Sequence, residues 1–136
     1  MFQYDEKVLK NQLLELIRLA ATDLPVDVVE SIKAAQQNED EGSAARSVFG
    51  MILKNIDLAR AESTPICQDT GTNIYIVHIP EGVGMRKLTA LIHEATAEAV
   101  DKSYLRPNAV DSITGKNSGN NIGEGQPFIH FEEWDN

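Results

Sequence analysis

The chain has 136 residues, 42% apolar and 24% charged, the balance of a globular chain with one domain and a core. Twelve basic residues against 21 acidic ones give a net charge of −9, the wrong sign for a nucleic-acid partner, which needs a basic footprint. A single cysteine excludes an internal disulfide and points to an intracellular setting, with the cytoplasm as the expectation.

The first twenty residues hold no apolar run longer than two, so neither a signal peptide nor a membrane span is expected there. Residues 5–21 read as a helix, with Val8, Leu9, Leu13, Leu16, Ile17 and Ala20 on one stripe. Thr22-Asp23-Leu24-Pro25 ends it and opens a second helix, Pro25 suiting a first-turn position. That helix carries Val28, Val29, Ile32 and Ala35 to about Gln37, and the charged connector NEDEG follows. Ser43 caps a third helix, whose apolar face is Val48, Phe49, Ile52, Ile56 and Ala59.

TPICQDTG is loop chemistry, punctuated by Pro65 and Gly71. NIYIVHI (73–79) is rich in β-branched and aromatic residues and reads as a strand. After the turn PEGVG, a long helix spans 86–104 with Leu88, Leu91, Ile92, Ala95, Ala99 and Val100 inward, and Pro107 is expected to end it. The 18-residue Gly/Asn/Ser stretch 110–127 reads as an irregular loop, the kind that is functional or disordered. FIHFEEW (128–134) is a second strand. The fold expected is α+β: helix-rich at the front, then a small sheet with a long helix. Two strands make a thin sheet, so the whole of 1–136 reads as one incomplete domain, the front of something longer or half of an assembly.

Cys67 lies in a polar, turn-forming segment, where a structural cysteine would have apolar neighbours. Three readings stay open on local sequence: a semi-buried thiol, a nucleophile and a metal ligand. A nucleophile needs a histidine base, and sequence does not bring His78, His93 or His130 to it. A thiolate ligand suits soft metals and iron–sulfur clusters but needs further ligands from outside the chain. Gln68-Asp69-Thr70-Gly71 has the form of an Asx-turn, and a carboxylate held in such a turn is well placed for proton transfer. Arg106 reads either as a charge at a helix C-terminus or as a bidentate carboxylate clamp, and Lys116 and Asn117 in TGKNSG either as solvated loop residues or as its partners. The histidines, 15 and 37 residues apart, have no metal-motif spacing; His93 reads as a helix-boundary residue, His78 and His130 as structural.

PICQDTGT before an apolar strand, then LRPNAV after a helix, then TGKNSGNN and a Pro with an aromatic-rich strand, together resemble one family. It is the N-terminal portion of the iron–sulfur hydro-lyases, class I fumarate hydratase and the alpha subunit of L-tartrate dehydratase. The resemblance runs along essentially the whole chain and is strongest at 64–72 and 104–127. It implies that Cys67 ligates a 4Fe–4S cluster whose other two cysteines come later in the full subunit, leaving one iron open as a Lewis acid. It implies that Gln68 and Asp69 contact a dicarboxylate substrate such as fumarate or malate, with Asp69 in proton transfer. Arg106 would hold a substrate carboxylate, and Lys116 and Asn117 would lie in a substrate-proximal loop. The family's alpha portion is roughly twice this long and works with a beta subunit or C-terminal domain in a homo- or hetero-oligomer. With one cluster ligand of three, the chain alone is expected to form no stable cluster and to show no hydro-lyase activity.

Overall fold

The computed structural model describes residues 4–68 and 71–134. Asp5 opens helix α1 (Glu6–Thr22) by accepting the Val8 N–H on its side chain, which satisfies one of the donors a helix start leaves over. Pro25 stands one residue before α2 (Val26–Asn38), outside the first turn, and its carbonyl accepts from Val29 N–H. Ser43 caps α3 (Ala44–Glu62) through the Arg46 N–H, the role expected of it. Strand β1 (Ile74–Pro80), helix α4 (Met85–Asp101) and strand β2 (Phe128–Trp134) follow. The fold is α+β, and its sheet among the described residues is β1 and β2 paired in parallel.

Helix α4 ends earlier than the sequence suggests, at Asp101 rather than Tyr104. Ser103 takes a left-handed φ of 62°. Its N–H donates to Val100 O at 2.9 Å and that of Tyr104 to Ala99 O at 2.8 Å, the paired bonds of a Schellman turn. The stop is thus a serine in a position usually held by glycine, and Pro107 lies beyond it.

Helix α1 packs on α4, and α2 packs on α3. The core joins Leu14 and Ile17 of α1 to Ala95 and Ala99 of α4 and to Leu105, and the two alanines allow the helices to approach closely. The buried stripe of α1 is therefore turned from the expected one, since Leu16 and Val8 are exposed and Leu14 is inside. Apolar residues lie on more than one side of α1, and α4 covers only one of them. Helix α2 buries none of its residues. Tyr75 of β1 packs against the α1–α4 core and lies 2.9 Å from Thr96 Oγ1. Thr96 donates its own proton to Ile92 O, so the Tyr75 hydroxyl is the donor between them, and burial pushes the phenol's pKa up. The opposite side of the sheet, carrying Ile74, Ile76, His78, Phe128, His130 and Glu132, is exposed.

Candidate active site

The segment leading to Cys67 is tied to two helices. Ile66 N–H donates to Ala21 O of α1 at 3.1 Å, and Asn55 Nδ2 of α3 donates to Ile66 O at 2.8 Å. Ser63, in a left-handed conformation at the end of α3, turns the chain into this segment and accepts from Arg18 Nη1. Cys67 comes next and is exposed, as is Gln68, so the reading of Cys67 as a semi-buried structural thiol falls. Asp69, the expected proton-transfer group, lies outside the described residues.

Parallel pairing then brings distant motifs together. The register sets Ile74 opposite Phe128, and Phe128 N–H donates to Asn73 O at 3.0 Å. In a parallel pair both chains run into their strands from the same edge, so what precedes β1 must lie beside what precedes β2. A small depression there is lined by Gly71, Thr72, Asn73, Ala109, Asn121 and Pro127. The Asn73 side-chain oxygen is buried, with no hydrogen-bond partner among the described residues.

Residues 106–109 and 117–121 are laced to each other. Asn121 Oδ1 accepts from Asn108 N–H at 2.7 Å and Ala109 N–H at 3.0 Å, while its Nδ2 donates to Arg106 O at 2.8 Å. Asn117 Nδ2 donates to Pro107 O at 2.6 Å, its Oδ1 accepts from Gly119 N–H at 2.7 Å, and Ser118 N–H donates to Ala109 O at 2.9 Å. The stretch 110–127 is irregular as expected, with no helix or strand, and these bonds hold it in place. Arg106 itself is exposed.

Beside this lacing is a cleft of about 390 Å³ lined by Asp111, Ser112, Ile113, Lys116, Glu124 and Gln126, among others. Asp111 accepts from Thr114 N–H at 2.6 Å, from Thr114 Oγ1 at 2.7 Å and from Ile113 N–H at 3.1 Å. These bonds, that of the Thr114 N–H foremost, hold its carboxyl below the usual carboxylate range. The cleft therefore sets Lys116 against two carboxylates, Asp111 and Glu124, and Arg106 is not among its lining residues. By itself it does not suit a dianion.

The histidines stand apart from the candidate site. His78 and His130 are exposed on the outer side of the sheet, and each contacts one oxygen of Glu132, at 3.2 and 3.3 Å. His93 is half-buried on α4, a boundary position as expected. Among the described residues no group of three His, Cys, Asp or Glu side chains is placed to hold a metal ion. No described helix is long and apolar enough to cross a membrane. Sequence reasoning missed Asn121 and Asn55. The Asn-Asn pair in a glycine-rich loop is a signal for the first, since asparagine tolerates left-handed turns; a single asparagine on a helix surface gives no signal for the second.

The family model described as fumarate hydratase (Fumerase) matches residues 10–136. The chain belongs to the fumarate hydratase family. A putative fumarate hydratase class I of Geobacillus stearothermophilus is 40% identical over 127 residues, covering 93% of this chain and 25% of that protein. A putative L(+)-tartrate dehydratase subunit alpha of Methanocaldococcus jannaschii is 31% identical over 123 residues, covering 88% of this chain and 43% of its own length. The L(+)-tartrate dehydratase subunit alpha of Escherichia coli K12 is 28% identical over 127 residues, covering 90% and 42%. This fumarate hydratase family chain thus spans from a quarter to a little over two fifths of the length of these relatives.

Proposed function

We propose that the chain supplies the N-terminal part of a hydro-lyase site that interconverts fumarate and L-malate. The observation that carries this reading is the parallel pairing, with Gly71, Thr72 and Asn73 beside Ala109 and Asn121 of the laced stretches 106–109 and 117–121. Family membership supports it, as does the higher identity to the relative named for fumarate than to those named for tartrate. Tartrate dehydration is the second reading, favoured by the tartrate dehydratase alpha subunits among the relatives.

Dehydrating L-malate breaks a C–H bond beside one carboxylate and the C–O bond on the next carbon. The C–H electron pair becomes the second bond of the alkene, and the hydroxyl leaves with a proton as water. In this reading Arg106 grips a substrate carboxylate through paired N–H bonds, Gln68 contacts the substrate, and Asp69 handles the proton. Lys116 adds positive charge from the neighbouring loop, and Asn117, with both ends of its amide engaged, supports that loop. The exposed Cys67 thiol fits the implied 4Fe–4S group in kind, as one soft ligand, but not in number. The other two thiolates belong to the later part of the full subunit, which works with a beta subunit or C-terminal domain, and the chain alone is inactive. When bound, the group supplies Lewis-acid stabilisation of negative charge. A reducing cytoplasm keeps such a thiol available.

The test is anaerobic reconstitution with iron and sulfide. It is run on the chain alone, and with the part of the Geobacillus stearothermophilus relative that lies outside the matched stretch. The expected result is visible iron–sulfur absorbance only in the mixture, and none with Cys67→Ser. Equal absorbance in the serine variant would refute the assignment of Cys67.

A further inference from the structure

Asn121 is engaged through both ends of its side-chain amide. It is buried, at 4% exposure, and lies in a left-handed turn with a φ of 61°. Both ends of its amide are used, and all three bonds go to one short stretch of backbone, Arg106 to Ala109, 12 to 15 residues away. A buried amide can fill its bonding capacity in many ways. Here the two acceptor bonds and the donor bond bracket the peptide units from Arg106 O to Ala109 N–H, so the backbone of this turn cannot rotate without breaking one of them. Bonds of this kind in low dielectric are costly to leave unmade, which gives the arrangement its stiffness.

Arg106 has a long side chain with many rotamers, and its reach is set by where its Cα and carbonyl are held. A guanidinium recognises a carboxylate through a planar fork, which tolerates little displacement. We infer that Asn121 is a positioning residue for Arg106, holding the Arg106–Ala109 turn so that the guanidinium meets a substrate carboxylate. This rests on the reading of Arg106 given above. It assigns to the second asparagine of GNN a part in dicarboxylate affinity, exerted through backbone, without contact with the ligand.

The experiment is fumarate titration of the ¹⁵N-labelled chain mixed with the part of the Geobacillus stearothermophilus relative outside the matched stretch, followed through the Arg106 resonances, with amide hydrogen exchange and Tm measured on the same samples. Asn121→Gly keeps the left-handed backbone open and removes all three bonds. It is expected to lose protection at the Asn108 and Ala109 amides and to weaken fumarate binding about tenfold. Asn121→Asp retains the two acceptor bonds and should recover the protection and part of the affinity. Leu88→Ala, buried at the other end of α4, should lower Tm with no change in affinity. Wild-type affinity in Asn121→Gly, where Arg106→Gln abolishes binding, would overturn the inference and leave the Arg106 reading standing. An equal loss in Leu88→Ala would also overturn it, by reducing the effect to general loosening. Fumarate binding that is absent in the wild type, or unaffected by Arg106→Gln, would overturn the Arg106 reading itself, and the inference with it.

Discussion

Replacing Ser103 by glycine should stabilise the chain. Ser103 has a φ of 62°, is exposed, and forms the Schellman turn that ends α4 and delivers buried Leu105 and then Arg106. An L-residue held left-handed costs about 1–2 kcal/mol. Glycine avoids that cost but loses about 0.5–1 kcal/mol more than other residues in backbone entropy on folding. The difference is a gain of about 0.5–1 kcal/mol, which at this chain length raises Tm by about 2–4 °C. Ser103→Val should act oppositely, because a β-branched residue is a poor occupant of a positive φ. Urea unfolding is the assay, and the midpoint should rise for Ser103→Gly with its slope unchanged. A lower midpoint for the glycine variant would refute the reasoning: it would mean that the serine side chain, and not the backbone turn, holds this helix end.

Asn55→Ala removes the 2.8 Å bond to Ile66 O but leaves that carbonyl open to water, so it should cost about 0.5–1.5 kcal/mol. Faster exchange of the Ile66 amide, whose bond to Ala21 O is the remaining tether, would show the Cys67 segment loosening, and unchanged exchange would count against the clamp. The carboxyls of Asp23, Glu15 and Glu98 are held below their usual range by hydrogen bonds from Arg60, Arg18 and Lys10. Each is depressed in the folded chain, so its stabilisation is complete above the ordinary carboxylate range, about 4, and is lost as pH falls below it. Urea midpoints taken from neutral to acid pH should show this loss, weakened by salt and shallower in Arg60→Met. Ile56→Ala, at 1% exposure, should cost about 2–5 kcal/mol. Ile76→Ser, at 63% exposure on the outer side of the sheet, should change stability by less than about 0.5 kcal/mol, and urea midpoints of the two variants measure the contrast.

Local signals made the elements legible. Ser43 announced α3, the β-branched run at 74–79 announced β1, and the 3.6-residue spacing announced four helices. What the sequence did not carry was which side of α1 is covered, because Leu14 and Leu16 are both apolar and only tertiary packing against Ala95 and Ala99 decides between them. The end of α4 was misread because serine seldom takes a left-handed turn and Pro107 offered a stronger stop signal. The candidate residues stood out by type and motif. Their supports, Asn55 and Asn121, act through backbone oxygens and amides far along the chain: the glycine-rich Asn-Asn pair marks a turn at Asn121 but not its partner, and nothing local marks Asn55.

Ligands of open α/β sheets commonly sit beyond the carboxyl ends of parallel strands, so the location of the candidate site at the opposite edge needs a physical reason. Toward the carboxyl ends of β1 and β2, against the first turns of α1, there is a cavity of about 380 Å³, lined by Val8, Leu9, Val77, Ile79, Leu88 and Trp134, among others. Its walls are apolar, Asp5 brings it negative charge, and His78 is already engaged with Glu132. A dicarboxylate placed there would lose hydration and gain no cation, a transfer that strongly disfavours a dianion. At the other edge the chain offers Arg106, outside the cleft in which Lys116 faces Asp111 and Glu124, on a turn tied down by hydrogen bonds, in a protein whose overall charge is −9. In the proposed reading the Arg106 cation, rather than the size of the hollow, favours this edge. The selection can be read directly: fumarate should shift resonances near Arg106 and Lys116 and leave Trp134 fluorescence unchanged, and quenching of Trp134 by fumarate would place the anion at the wrong end of the sheet.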